Sequence, residues 1–482
     1  MNFGMVARVI GNLLLLEAAI LVLPLSISVY YQEREVILGF LLAMGIMGLL
    51  GLFLSNVKRE SPRLKVREAV LIVTLGWTLT SFFAALPFFF SGSIPSLVDA
   101  FFEAVSGLTT TGSTIINDIE SLPRGTVFWR SLTHWLGGMG ILVMTLAILP
   151  TLGTGGLQIF KVESPGPSPD KFTPRVVATT KILYTIYLCL TLVQVLLVRL
   201  AGLSLFDSLL WAFGTVSTGG LSIYNDSLVR FSSNQFLIYA TAVGMILSGV
   251  NFSLFYDLGK GRFKQVVQNP ELRLYLAILF ISTIFVALNL HGTIYGSLGE
   301  AIRQAFFQVS SIMTTTGYST ADFDLWPTFS KGVLFLLMFV GGSAGSTSGG
   351  IKVIRFLVAG KVIKREFSRL LHPQAASPIT INGKMISPEV VQGVASFYLL
   401  YLMTFILGSL VISFENLDLM SAMSAVAASL GNTGPGFGAV GPMQTYADFS
   451  PWGKIVLSFL MLLGRLELFA LLLLFTPNYW RE

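Results

Sequence analysis

The sequence predicts an all-α polytopic membrane protein organised as a fourfold internal repeat. Three observations carry this prediction. Apolar runs of about 20 residues, the length that crosses a bilayer, recur near 9–30, 36–56, 69–91, 127–150, 181–201, 235–257, 272–290, 391–413 and 452–475, with an interrupted tenth at 332–360. Of the 482 residues 53% are hydrophobic and 12% charged, about half the charged share of a soluble domain. A short stretch ending in a small polar residue and glycine appears four times, always between long apolar runs: Thr110-Thr111-Gly112, Ser217-Thr218-Gly219, Thr315-Thr316-Gly317 and Asn432-Thr433-Gly434.

Taken in order, the first run follows Arg8 and contains Pro24 and Tyr30. It is longer than the apolar core of a secretion signal and lacks a small-x-small cleavage site, so it is expected to remain as a span. Residues 1–66 form an extra two-helix unit. Four repeats follow, at 67–155, 176–262, 271–372 and 386–482. Repeats one and three align without gaps from Phe101-Phe102-Glu103 to Gly112 and from Phe306-Phe307-Gln308 to Gly317. A recurring unit of this kind implies equivalent places around an axis. Each repeat is expected to run outer helix, short descending helix, extended turn, inner helix, that is, helix–pore loop–helix. Small polar turns at membrane depth stand only where they are buried in protein or line a cavity, and the simplest cavity shared by four of them is a pseudo-fourfold pore.

The short helices are expected near 98–111, 205–217, 300–315 and 417–431. Asp99, Asp207, Glu300 and Asp418 stand at their starts, where a carboxylate suits the positive end of the helix dipole. Their C-terminal ends then point to the membrane centre with partial negative charge, a place for a cation. Glycine permits the backbone angles by which successive carbonyls line an axis, and carbonyl rings replace an ion's hydration shell. No carboxylate lies within the four turns, which argues against an acidic-ring filter for divalent cations. A lone Thr-Thr-Gly is ordinarily a helix C-cap; four at corresponding places are not explained that way.

Placing the N-terminus in the cytoplasm puts most of the 31 basic residues on one side, the positive-inside bias, so both termini are assigned to the cytoplasm. Cys189 is the single cysteine and there are three histidines, so neither a disulfide framework nor a thiolate metal site is expected. His134, beside Gly137-Gly138-Met139-Gly140, is expected to be a packing group. Asp118, Glu120, Asp322 and Asp324 follow filters one and three and either concentrate cations at the mouth or are solvated loop residues.

The interrupted run holds Gly341, Gly342, Ser343, Gly345, Ser346, Thr347, Gly349 and Gly350, with five glycines in the ten residues 341–350. At about 1 kcal/mol per glycine relative to alanine, a continuous helix is unfavourable there. An unwound intramembrane loop beneath the filter is expected; a small-residue helix-packing face is the alternative. Arg465 sits inside the last apolar run and is read as the only basic residue near the middle of a span. Its cost there directs it to the bundle interior, toward a carbonyl of the glycine loop or another helix, or into a structural ion pair.

With SGLTTTG, STGG, TTTGYST and NTGPGFG on four pore loops in one chain, the sequence resembles the Trk/Ktr/HKT superfamily of potassium transporters over essentially its whole length. The two extra N-terminal spans resemble its TrkH/TrkG branch. The resemblance implies K⁺ at a filter of Gly112, Gly219, Gly317 and Gly434 with Thr110, Thr111, Ser217, Thr218, Thr315, Thr316, Asn432 and Thr433. It implies that the 341–350 loop is a gate, with Arg465 at the cavity below the filter. It also implies a bacterial cytoplasmic (inner) membrane and a homodimer carrying a cytosolic ring of nucleotide-binding TrkA-type subunits. The last repeat departs most from the pattern, at Asn432 and Pro435.

No G-x-G-x-x-G follows a strand pattern and no P-loop is present, so no cofactor is expected in this chain, and nucleotide would act only through the partner. The basic loops 155–181, 258–271 and 361–388 are expected to dock it, and no nucleic acid is expected. The expected function is gated, channel-like potassium uptake. A K⁺ symporter coupled to Na⁺ or H⁺ is the alternative, although no intramembrane Asp/Glu pair supplies a second ion site. A polytopic membrane enzyme would need a convergent constellation that the scattered histidines do not offer.

Overall fold

In a computed structural model the residues described are 1–58, 65–140, 176–372, 378–381 and 384–481. Each short helix begins where the sequence supplies a cap. Leu97–Leu108, Leu205–Val216, Leu298–Met313 and Leu419–Gly431 start behind Ser96, Ser204, Ser297 and Asp418, whose side chains accept from the backbone N–H of Asp99, Asp207, Glu300 and Ser421. A cap of this type contributes about 1 kcal/mol. The expected boundaries hold to within a few residues.

Their C-terminal ends are also alike. Thr110, Thr218, Thr315 and Asn432 take left-handed φ values of 54°, 54°, 58° and 53°. The next N–H then reaches five residues back, from Thr111 to Ser106 O (2.9 Å), Gly219 to Gly214 O (2.9 Å), Thr316 to Ser311 O (2.8 Å) and Thr433 to Ala428 O (2.8 Å). This is a Schellman closure, which usually places glycine at the left-handed position; three repeats use threonine.

Long outer helices, Val66–Phe90, Val176–Leu200, Pro270–Leu290 and Pro388–Ile412, lead into these units. The first run is helical over Phe3–Ile20 and Val22–Tyr30, and Arg34–Ser55 packs against it. The approach is close: a Cβ on Gly11 would lie 2.8 Å from Gly51 O, a small-residue contact of the kind that lets membrane helices meet. Among the described residues six helices are long and apolar enough to cross a membrane, or seven with one bent pair.

Among the inner helices the break expected within 332–360 is present, while others depart from the sequence expectation. The helices are short: Arg124–Gly138, Gln235–Ser248, Thr328–Leu337 and Pro451–Arg465. At 1.5 Å per residue none covers the ~30 Å hydrocarbon core. The runs 235–257 and 452–475 are not continuous spans. The first bends by 95° between Ser248 and Phe252; the second stops at Arg465, where Glu467 and Leu468 take φ values of 53° and 66°. The breaks are tolerated because their carbonyls find partners: Ser343 N–H donates to Gly249 O at 2.9 Å and the Thr347 hydroxyl to Ser248 O at 3.2 Å. Of the expected 127–150 span, residues beyond 140 lie outside the described residues, as does most of the expected loop 155–181. The expected loop 361–388 is not all loop, since the helix Val353–Leu371 enters it and a two-residue hairpin pairs Thr380–Ile381 with Lys384–Met385.

Candidate ion-conduction site

The four loops close into a ring. A Cβ on Gly112 would strike Gly219 O, one on Gly220 would strike Thr316 O, one on Gly317 would strike Thr433 O, and one on Gly434 would lie 2.6 Å from Thr111 O. Each repeat thus presents a bare glycine to a carbonyl of the next, and the fourth returns to the first. The glycines have φ values of 87°, 74°, 87° and 94°, a region open to glycine at no steric cost. All four border a cavity of about 290 Å³ that also has Arg130, Tyr446 and Asp448 in its wall.

The ring corrects one register. Gly219 was expected to match Gly112, but the left-handed pair in the second loop is Thr218 and Gly220. Gly219 therefore stands with Thr111, Thr316 and Thr433, and Ser217 with Thr109, Thr314 and Gly431. Gly219 lacks a side chain because the His134 ring lies against it, and His134 Nδ1 accepts from Leu221 N–H at 3.4 Å. His134 is the packing group expected of it.

Behind the ring the side chains are tied to one another. Thr109 and Thr111 hydroxyls are 2.7 Å apart, as are those of Thr314 and Thr316. Asn432 Nδ2 donates to Thr111 Oγ1 at 3.0 Å and to Met461 O at 2.9 Å. Tyr446 donates to Gly434 O at 2.9 Å, and Tyr318 stacks on Trp211 at 4.9 Å. Above the ring the outer segments join in the same cyclic order. Ile119 N–H donates to Asn225 Oδ1 (2.7 Å), Leu228 N–H to Ser319 O (3.0 Å), Gly438 N–H to Asp324 Oδ2 (3.0 Å) and Tyr446 N–H to Thr114 O (2.8 Å). The mouth carboxylates are part of this stitching. Asp118 accepts from Asn225 at 3.1 Å, and Glu120 pairs with Arg230. The Asn225 amide holds the Asp118 carboxyl below its usual range, and the Arg230 guanidinium does the same for Glu120.

Below the ring lies the unwound loop between Thr328–Leu337 and Val353–Leu371. Thr347, fully buried, donates to Val216 O at 3.1 Å and stands 3.2 Å from the Thr218 hydroxyl. Gly349 N–H donates to Thr315 Oγ1 at 2.7 Å, and a Cβ on Gly349 would lie 2.6 Å from Gly431 O and 2.8 Å from Asn432 Cβ. Gly341 N–H bonds Ile351 O at 3.0 Å, closing the base. Glu271 clips both sides, accepting from Ala344 N–H (2.7 Å) and Ile354 N–H (3.2 Å).

Arg465 joins three parts. It donates to Thr110 Oγ1 (3.2 Å), Thr347 O (3.0 Å), Gly137 O (2.5 Å) and Gly138 O (3.1 Å). Its carbonyl partners are therefore the glycine loop and another inner helix, and Glu467 instead pairs with Arg355. Arg130, which the sequence reading did not single out, is buried and pairs with Glu103 at 2.6 Å, with side chains 1% and 0% exposed. Glu103 lies inside the matched Phe-Phe-Glu segment of repeat one, which was the available signal. Among the described residues no group of three His, Cys, Asp or Glu is placed to hold a metal ion.

The chain is similar to known proteins over its whole length. A sequence model of the TrkH family, described as a cation transport protein, matches residues 40–482. The Trk system potassium uptake protein TrkH of Escherichia coli strain K12 is 39% identical over 490 residues, covering all of both chains. The Trk system potassium uptake protein TrkG of the same organism is 33% identical over 99% of this chain and 98% of its own. A crystal structure of the potassium transporter TrkH from Vibrio parahaemolyticus superposes with a TM-score of 0.89 at 36% identity, covering all of both chains.

Proposed function

The chain belongs to the TrkH family of cation transport proteins, and on that footing we propose that it takes up potassium through the ring of four loops, in the manner of a gated channel. The observation that carries this reading is the closed cycle of glycine–carbonyl contacts. It brings the oxygens of Thr111, Gly219, Thr316 and Thr433 into one cycle, and in this reading they act with the backbone oxygens of Thr110, Gly112, Thr218, Thr315, Gly317, Asn432 and Gly434 to replace the hydration shell of K⁺. Ser217 closes the second pore helix just below them. The relatives named as potassium uptake proteins support the same ion.

The 341–350 loop is the gate of this proposal, with Arg465 as its latch. It contacts the loops of repeats two, three and four from below, in the path an ion must take. Two states of such a loop differ by few packing contacts, so a ligand-driven partner can bias them. The partner is a cytosolic ring of nucleotide-binding subunits on a homodimer, and nucleotide acts only there. The helix Val353–Leu371 leads from the gate to Lys364 and Arg369, which are exposed beside Phe367 and Leu370. The distribution of basic residues supports an inner-membrane protein with both termini in the cytoplasm.

Reversal potentials of the purified protein in liposomes test the ion and the mechanism together. Under a K⁺ gradient they should follow the K⁺ equilibrium potential and ignore imposed Na⁺ and pH gradients. A reversal displaced by either gradient replaces the channel with the coupled symporter.

A further inference from the structure

The only fully buried salt bridge among the described residues ties the outer legs of two filter loops together. Glu103 belongs to the first short helix and Arg130 to the first inner helix; Nε and Oε1 are 2.6 Å apart. Glu103 also accepts from the Thr114 hydroxyl (3.0 and 3.1 Å to its two oxygens) and from Ile115 N–H (3.0 Å). Arg130 Nη1 donates to Ser222 O at 2.6 Å. Thr114 and Ile115 follow Gly112, and Ser222 follows Gly220. A single ion pair thus holds the backbone leaving filter loop one and, across the seam, the backbone leaving filter loop two.

The other repeats do without it. Seven residues before the left-handed position, where repeat one has Glu103, the others carry Trp211, Gln308 and Ala425. The short helix therefore forms with an apolar residue or a neutral amide at this place. Removing two charges from water is costly, and a buried pair is commonly no more stabilising than apolar residues of the same volume. Stability of the helix does not account for the pair; its hydrogen bonds all go to the filter's outer legs.

We propose that Glu103 and Arg130 are positioning residues for ion selection: they fix the spacing of filter loops one and two, and K⁺ is preferred over Na⁺ only while that spacing holds. This rests on the potassium reading above. A smaller ion needs its oxygens drawn inward, and a braced seam resists that collapse. Glu103 balances Arg130, which borders the outer cavity, so that no net positive charge meets the entering cation.

The test uses full-length protein in liposomes, with the K⁺/Na⁺ permeability ratio from bi-ionic reversal potentials beside K⁺ flux and thermal unfolding. Glu103→Gln keeps the shape and copies Gln308. Arg130→Lys keeps the charge but offers no fork to reach both Glu103 and Ser222 O. Each should lower the ratio about tenfold or more, the scale of one lost charge-assisted hydrogen bond. The double variant Glu103→Leu/Arg130→Met guards against misfolding from a lone buried charge, and it should lose selectivity as well. Folded variants with the wild-type ratio overturn the inference, even if they melt earlier. A wild-type protein without potassium preference overturns the proposed function itself.

Discussion

The imidazole of His134 fills the place that a side chain on Gly219 would take. In the other three loops that place belongs to Thr111, Thr316 and Thr433. Repeat two exchanges its own side chain for one supplied by the inner helix of repeat one, so the filter wall is shared across a seam. Gly219→Thr should therefore fail while His134 is present, at an overpacking cost of about 1–3 kcal/mol. Gly219→Thr combined with His134→Ala should recover part of the loss. Thermal unfolding of the single and double variants measures this coupling, and additive effects would refute it.

Gly112 has a different constraint, with φ at 87° and the Gly219 carbonyl against its α-carbon. Gly112→Ser adds about 1–3 kcal/mol of local strain, which the ring relieves by separating loops one and two. The expected result is a K⁺/Na⁺ permeability ratio reduced by about tenfold. An unaltered ratio in a folded variant would count against the ring as the selecting element.

Arg465 has four acceptors on three elements, each such bond to a charged donor contributing about 1.5–3 kcal/mol. Arg465→Ala should favour the withdrawn loop and raise K⁺ flux in liposomes without any partner. Deleting Ser346, Thr347 and Ser348 should raise it further, since Thr347 holds the contacts to the second filter loop. If the shortened protein stays selective and conducts no faster than wild type, the gate lies elsewhere.

Docking of the regulatory ring is predicted to involve the basic end of Val353–Leu371. Reversing charge at Lys361, Lys364 and Arg365 should weaken co-purification with the nucleotide-binding subunits. The weakening should diminish as salt rises and screens the exposed charges. Binding unchanged at low salt would exclude this face.

The outer clasp between repeats one and two has a definite pH sign. Glu120 and Asp118 are held below their usual carboxylate range by Arg230 and Asn225. A carboxylate whose folded pKa is depressed contributes fully above its unfolded value of about 4 and loses its contribution as pH falls through the folded value. Hydrogen exchange at the amides of Ile119 and Asn225 should accelerate across that acidic window relative to their intrinsic rates. Constant protection there would show that the clasp does not depend on charge.

The legible part of the fold was the part written in local chemistry. Asp99, Asp207, Glu300 and Asp418 marked the starts of the short helices to within a few residues. The hydroxyl–glycine turns marked the ring. The breaks after Ser248 and Arg465 were not legible, because Gly249-Val250-Asn251 and Glu467-Leu468 are unremarkable in an apolar run. The first has a tertiary cause: the glycine loop takes the carbonyls at Ser248 and Gly249. The second loop's register was ambiguous because Gly219 and Gly220 are adjacent, and only the ring contacts distinguish them. Arg130 was missed because its partner Glu103 is 27 residues away on a different helix.

A ring assembled from four identical chains takes every mutation four times over. Here all four quarters of the ring belong to one polypeptide, and each is a separate stretch of sequence. One substitution changes one quarter of the ion's surroundings and leaves three intact. That is why Asn432, Gly219 and a charged brace at a single seam can coexist with a closed circle. It also allows one quarter to carry an unwound glycine loop of its own. Selectivity in such a protein is adjustable in small increments, by a route closed to a symmetric tetramer.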